Sequence, residues 1–209
     1  MEMPQEQERT LAELMFEYEQ LRQEILQNDV LTLQILGATV LLVGTIMGIA
    51  FSEAVKSFAV KGVLFFMADV VALVGMLQHT DRGRSSFLIA SYLRIFTEEK
   101  MRNVRWETRL AKFREYSHGR GYGEFISDQL WAYVFIVVAN FALGSFHILL
   151  DFQNSPLFSG VISLLILGLL VTFWLVRVIV RRYIESVFRH QESFDPIWRK
   201  VRDEENKPQ

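Results

Sequence analysis

Two polar side chains inside apolar stretches are the strongest candidates for chemistry in this sequence. Asp69 and Asn140 each lie near the middle of an apolar run. A charged carboxylate at the centre of a bilayer costs about 2.5–3.5 kcal/mol, so Asp69 is expected to be protonated, paired or next to water. If the two runs pack together, the pair fits a proton- or ion-responsive site or a pore-lining position. It also fits a neutral Asp69 hydrogen-bonded to Asn140 or a nearby hydroxyl, which would hold two helices together.

The motifs that commonly assemble an active site are missing from the sequence. It has no zinc-protease HExxH, no kinase or Walker loop and no nucleophile elbow. It has no cysteine, which excludes disulfides, thiolate nucleophiles and Cys-ligated zinc, and its four histidines are scattered. We therefore predict a protein that is not an enzyme and that has no metal site and no cofactor.

Four apolar runs position the two polar side chains. They cover residues 31–51, 59–77, 130–150 and 157–180. Each is close to the ~20 residues that cross a hydrocarbon core, although Lys61 and Asp69 interrupt the second. The predicted fold is an all-α integral membrane protein with four transmembrane helices in two hairpins, 31–77 and 130–180. Gly44 and Gly48 form a GxxxG pattern in the first run, which lets two helix backbones approach closely.

Basic residues are concentrated outside the apolar runs. Of the 22 Lys and Arg, two lie in 1–30, ten in 78–129 and seven in 181–209. The positive-inside rule therefore predicts that both tails and the central segment face the cytoplasm. The net charge of −2 gives no basic field for nucleic acid, so no direct nucleic-acid binding is expected.

The amino-terminal segment predicts an acidic amphipathic helix. Nothing between Gln5 and Phe51 breaks a helix except glycines inside the apolar run, so one continuous helix of about 70 Å is expected. An apolar seam repeats at heptad spacing before the run. The seam residues are Leu11, Leu14, Tyr18, Leu21 and Ile25. The seam fits a coiled coil for self-association or a protein partner, and it also fits packing on this chain's own central segment.

Basic and aromatic residues flank each other in the central segment and at the start of the carboxyl-terminal tail. They are Arg102, Arg105, Trp106, Arg109, Lys112, Phe113, Arg181 and Arg182. Such residues fit a surface that contacts anionic lipid of the inner leaflet. In the central segment they also fit a helix that packs against the acidic amino-terminal helix. Beyond Arg182 the helix is expected to continue until Pro196, with a polar end at 203–209.

Three short motifs resemble an uncharacterised family of small bacterial four-span inner-membrane proteins. Residues 17–25 read EYEQLRQEI, residues 92–94 read YLR, and residues 106–110 read WETRL. The resemblance covers most of the chain and implies a bacterial inner-membrane protein with no assigned activity. The architecture has a looser likeness to membrane subunits of anti-phage systems.

These observations favour a non-enzymatic membrane protein of the scaffold or sensor type. We expect it to form homo-oligomers and to bind a cytoplasmic protein partner through its amino-terminal helix and central segment. An oligomeric ion channel or depolarising membrane effector, with Asp69 and Asn140 facing a pore, is the alternative. A proton-coupled transporter is a third hypothesis, against which the long central segment counts.

Overall fold

The computed structural model describes residues 5–98, 106–109, 122–188 and 194–205. Five α-helices account for nearly all of them: α1 (Gln5–Phe51), α2 (Phe58–Tyr92), α3 (Tyr122–Phe152), α4 (Phe158–Phe188) and α5 (Asp195–Glu205). A π-helical segment, Leu93–Glu98, follows α2 without a break. The described part of the chain contains no strand. The all-α prediction is confirmed, and so is the continuous helix from Gln5 to Phe51.

Four helices are long and apolar enough to cross a membrane. These stretches are Leu11–Phe51, Phe58–Glu98, Gln129–Phe152 and Phe158–Ile184, and the most apolar 18 residues of each have a mean hydropathy between 2.0 and 2.5. In the second stretch, which contains Lys61 and Asp69, this maximum is 2.1. The prediction of four helices long and apolar enough to span a membrane is therefore confirmed. The helices also extend well past the ~20 residues that a bilayer needs.

The chain divides into two compact units. The hydrophobic unit comprises residues 33–80 and 126–182, and the polar unit comprises residues 1–32, 81–125 and 183–209. Each of the helices α1, α2, α3 and α4 thus has residues in both units.

Small residues bring the helices of the hydrophobic unit close together. Its core cluster consists of Val43 of α1, Ala68 and Ala72 of α2, and Val137 of α3. A Cβ atom added at Gly62 would lie 2.5 Å from the Ile148 side chain and 3.0 Å from the carbonyl oxygen of Gly144. The α2 and α3 backbones meet here because neither glycine has a side chain.

The polar unit has a separate core. Tyr18 of α1 and Leu93 of the π-helical segment form its centre. Leu14, Leu21 and Ile25 of α1 and Ile89 of α2 pack around them. Four of the five predicted seam residues therefore face their own chain.

Candidate functional site

One face of α3 buries polar side chains while the opposite face exposes apolar ones. Gln129, Tyr133, Asn140 and His147 are all buried, at spacings of four, seven and seven residues. These spacings keep them on one side of a helix with 3.6 residues per turn. Phe135, by contrast, is 75% exposed. This is the reverse of a soluble amphipathic helix and fits a helix whose outer face contacts lipid and whose inner face serves a purpose other than packing.

Asp69 of α2 lies at the level of Asn140. The α2–α3 contacts run in opposite directions along the two helices: the Phe65 ring is 5.3 Å from the His147 ring, and Ala72 shares a core cluster with Val137. Asp69 lies between Phe65 and Ala72, as Asn140 lies between His147 and Val137. Asp69 is 4% exposed and Asn140 is 1% exposed. The structure therefore buries both sequence-predicted residues in one layer of the hydrophobic unit.

The hydrogen bond that we considered between these two side chains is not formed. Oδ1 of Asp69 and both Oδ1 and Nδ2 of Asn140 are buried and have no hydrogen-bond partner among the described residues. An unsatisfied buried polar group costs about 1–3 kcal/mol. The interpretation of a neutral Asp69 that holds two helices together through a hydrogen bond to Asn140 is therefore not realised in this arrangement.

Among the described residues, no basic side chain forms an ion pair with Asp69. Lys61, two helical turns before it on α2, places its ammonium 6.0 Å from the centre of the Phe58 ring. Eight residues of helix correspond to about 12 Å. Arg177 of α4 forms no hydrogen bond or ion pair with any described residue. Of the three expected ways to accommodate Asp69, pairing with a cation is therefore not used within the described part of the chain.

Other polar groups line the same inner side above and below this layer. The His147 ring nitrogen Nδ1 is 2.8 Å from the carbonyl oxygen of Leu143. At the other end, the ring of His79 is 5.5 Å from that of Tyr133, edge to face. Asn140 is separated from both His147 and Tyr133 by seven residues, which is about 10 Å along the helix. That gap is too long for direct proton transfer and would need several waters to bridge it.

A metal site is not built by these residues. The described residues contain no group of three or more His, Asp or Glu side chains close enough to share an ion. A hard divalent cation takes about six oxygen ligands, whereas the buried layer offers one carboxyl and one amide.

The predicted self-association seam lies inside the polar unit. Tyr18 is buried, and Leu14, Leu21 and Ile25 pack with it against Ile89 and Leu93. The phenol of Tyr92 also donates to Glu17 Oε1 at 2.6 Å. The alternative that the amino-terminal helix packs on this chain's own central segment is therefore the one the single chain adopts.

Leu11, the remaining member of the seam, is 45% exposed. The seam's apolar contacts accordingly end at Leu14, and Leu11 offers an exposed apolar side chain.

The basic and aromatic set is only partly described. Arg102, Arg105, Lys112 and Phe113 lie outside the described residues. The Arg22 guanidinium of α1 lies 4.9 Å from the centre of the Trp106 ring. Arg109, Arg181 and Arg182 are exposed. Trp106 therefore packs on the amino-terminal helix, as one of our two interpretations required, while half of its surface is still exposed.

Glu98, at the end of the π-helical segment, supports the helical turn at 106–109. Its carboxylate accepts hydrogen bonds from the backbone amides of Glu107 and Thr108 at 2.7 and 2.8 Å. A carboxylate at the amino-terminal end of a helix is stabilised by these free amides and by the helix dipole. We did not identify Glu98 from the sequence, where it is one of two adjacent acidic residues.

A clasp formed by α5 was also not predicted. Asp195 forms an ion pair with Arg94 and accepts a 2.6 Å hydrogen bond from the Ser91 hydroxyl. Trp198 packs edge to face on Tyr92, with 5.2 Å between ring centres. The expectation that Pro196 ends a helix is wrong in this respect: Pro196 lies in the first turn of α5, where its missing N–H is not needed.

Comparison of the chain with protein-family models, with curated proteins and with solved structures finds no match.

Proposed function

We propose that this chain is a non-enzymatic, proton-responsive membrane protein of the sensor type. In this proposal Asp69 binds and releases a proton beside Asn140. The observation that supports it is the buried layer in which Asp69 Oδ1 and both amide atoms of Asn140 have no partner among the described residues. A neutral carboxyl is tolerated there, whereas a charged one costs about 2.5–3.5 kcal/mol at mid-membrane depth. A change of protonation would therefore change how well α2 and α3 pack.

The ~10 Å that separates Asn140 from Tyr133 and from His147 along α3 favours proton sensing over proton conduction. A relay needs donors and acceptors within hydrogen-bond reach of each other. Asn140 does not approach either of these two side chains that closely along its face of the helix, so uptake at a single position is the simpler chemistry. Coupling to the rest of the chain would follow from the continuity of α2, which carries Asp69 and, one turn before its end, Ile89 of the polar-unit core.

The proposal includes a membrane topology. The four spans pair as two hairpins in a bacterial inner membrane, with both termini and the central segment in the cytoplasm. The distribution of Lys and Arg supports this orientation. The polar unit would then be the part that meets a cytoplasmic protein partner, and exposed apolar residues such as Phe16 on α1, 62% exposed, are available for that contact.

Infrared spectroscopy of the reconstituted protein tests the protonation of Asp69. We expect the wild type to show the C=O band of a neutral carboxyl at neutral pH and the Asp69→Asn variant to lack it. The Asp81→Asn variant is the matched control, since it makes the same chemical change at an exposed position of α2. The band should survive in that control. Spectra in which Asp69→Asn and Asp81→Asn are indistinguishable would remove the proposal.

Self-association of several chains is the second candidate property, and one surface of α1 favours it. Gly44 and Gly48 have nothing within 4 Å of an added Cβ atom, and neither does Gly37. No described residue thus packs against the glycines of the GxxxG pattern, which leaves them open to a second helix in the membrane. Oligomers formed there would make the channel or depolarising-effector alternative geometrically feasible.

Measurements of proton flux and of oligomer mass distinguish the sensor hypothesis from the channel hypothesis. Wild-type proteoliposomes with an imposed proton gradient and a pH-sensitive dye inside should hold the gradient if the protein is a sensor. A gradient that collapses with wild type and persists with Asp69→Ala would support the channel instead.

Light scattering in detergent then gives the number of chains in the oligomer. A mass that falls in Gly44→Leu, but not in Val63→Leu on the exposed face of α2, would assign the contact to the glycine surface.

A further inference from the structure

The fourth apolar helix, α4, buries little of its surface within the protein. Only 6% of the most apolar stretch of α4 is buried inside the protein, against 39% for α2. A groove of ≈ 750 Å³ separates α3 from α4, within the ~300–1,000 Å³ typical of small-molecule sites. On α4 it extends from Ile162 to Val180, which is about 27 Å and nearly the thickness of the hydrocarbon core. We refer to this feature as the α3–α4 groove.

The α3–α4 groove is apolar along its length, and one residue that can carry a charge lines it near one end. Val138, Ala142 and Phe173 represent its apolar lining, and Arg177 is the single formally charged residue that lines it. Arg177 lies one turn before the end of the fourth apolar run, and its side chain has no hydrogen-bond or ion-pair partner among the described residues. Trp131 lines the groove at the same end, and Trp is the side chain that prefers the level of the lipid headgroups.

We propose that the α3–α4 groove is a binding site for one anionic phospholipid. An acyl chain would fill the half of the groove next to Arg177, and the phosphate would contact the Arg177 guanidinium. The argument is charge complementarity: a long apolar groove matches an acyl chain, and a lone arginine near its end matches an anion. A phospholipid satisfies both at once, whereas a second protein helix would leave the arginine against an apolar surface.

This inference is independent of the proton site. Asp69 and Asn140 do not line the groove, so loss of lipid binding would leave the protonation proposal intact, and the reverse also holds. The lipid would act as a third layer between α3 and α4. It would supply packing that the two helices do not provide to each other across the groove.

Lipid retention measured by native mass spectrometry tests the site. The protein is reconstituted in vesicles of equal parts phosphatidylglycerol and phosphatidylcholine and released into mild detergent. We expect about one retained lipid per chain, with phosphatidylglycerol preferred about fivefold, the factor that one basic residue contributes near an anionic lipid surface. Arg177→Gln should abolish the preference, while Lys56→Gln, which removes an exposed cation elsewhere, should preserve it.

A second pair of variants tests the groove itself. Val138→Trp places a large ring in the groove, and Val74→Trp makes the same change on the exposed face of α2, outside it. We expect the first to lose the retained lipid and the second to keep it. Wild type without retained lipid, or with equal amounts of both lipids, would overturn the proposal. So would equal retention in the two Trp variants, or a dimer that only Val138→Trp disrupts, since a second chain would then occupy the groove. If Val138→Trp fails to fold, the comparison of Arg177→Gln with Lys56→Gln still decides.

Discussion

Replacing Gly75 with alanine tests whether α1 and α2 approach as closely as the structure indicates. A Cβ atom at Gly75 would overlap Thr39 Oγ1 and lie 3.0 and 3.1 Å from the Cγ2 and Cβ atoms of Thr39. Thr39 is buried, and its hydroxyl donates to the carbonyl oxygen of Ile35 at 2.8 Å. A β-branched side chain in a helix has few alternative rotamers. The two helices must therefore separate to admit one methyl group.

The size of the effect follows from two opposing contributions. Overpacking by one carbon costs about 1–3 kcal/mol, whereas alanine in place of glycine inside a helix gains about 0.5–1 kcal/mol. Gly48→Ala on α1 should gain the helix stabilisation without the overpacking cost, because nothing lies within 4 Å of its added Cβ. The two variants should thus differ in unfolding free energy by about 1–3 kcal/mol, with Gly75→Ala the less stable.

Unfolding in detergent, followed by circular dichroism, measures this difference. A Thr39→Ala substitution should rescue Gly75→Ala, since it removes the two Thr39 atoms closest to the new methyl group. Residues in contact typically couple by 0.5–3 kcal/mol in a double-mutant cycle, roughly the range expected here. Equal stability of Gly75→Ala and Gly48→Ala would refute the reasoning, as would a cycle without coupling.

Two further predictions concern the polar unit. Asp195→Ala should increase amide exchange across α5 by about tenfold or more, because it removes the acceptor of two side-chain hydrogen bonds, one charged on both sides. Asp203→Ala, at an exposed carboxylate of the same helix, should leave exchange unchanged, and similar exchange in both variants would contradict the clasp. Leu21→Asp should cost about 2 kcal/mol or more in thermal unfolding without changing the mass by light scattering, because Leu21 packs on its own chain. A smaller mass with unaltered stability would instead place Leu21 between chains.

The positions of the helices and the burial of the polar groups within the apolar runs could be predicted from the sequence. An unbroken run from Gln5 to Phe51 leaves no residue at which α1 would stop, so length and periodicity sufficed. The depth of Asp69 and Asn140 within apolar runs also followed from counting residues. Both properties depend on the neighbouring residues in the chain and on the thickness of a bilayer.

Contacts between residues far apart in the chain could not be predicted from the sequence. The α5 clasp joins Ser91 and Asp195, which are 104 positions apart, and no local pattern marks either of them. The missing hydrogen bond between Asp69 and Asn140 has a similar origin, since the separation of α2 and α3 is set by Gly62 and Gly144 and the rotamers by the surrounding packing. Four of the five residues of the heptad seam pack in one cluster, but spacing alone does not specify whether the partner of such a seam is the same chain or another.

The division of the polar unit into three stretches has a consequence for the order in which the chain is made. Glu17 bonds to Tyr92, 75 positions later, and Ser91 bonds to Asp195, a further 104 positions later. At the ~5–20 residues per second of protein synthesis, these delays are roughly 4–15 and 5–20 seconds. The amino-terminal helix therefore presents its apolar seam for seconds before its own partner emerges from the ribosome. On polysomes, where neighbouring nascent chains are close together, the speed of translation would then influence whether the seam first meets its own chain or another copy.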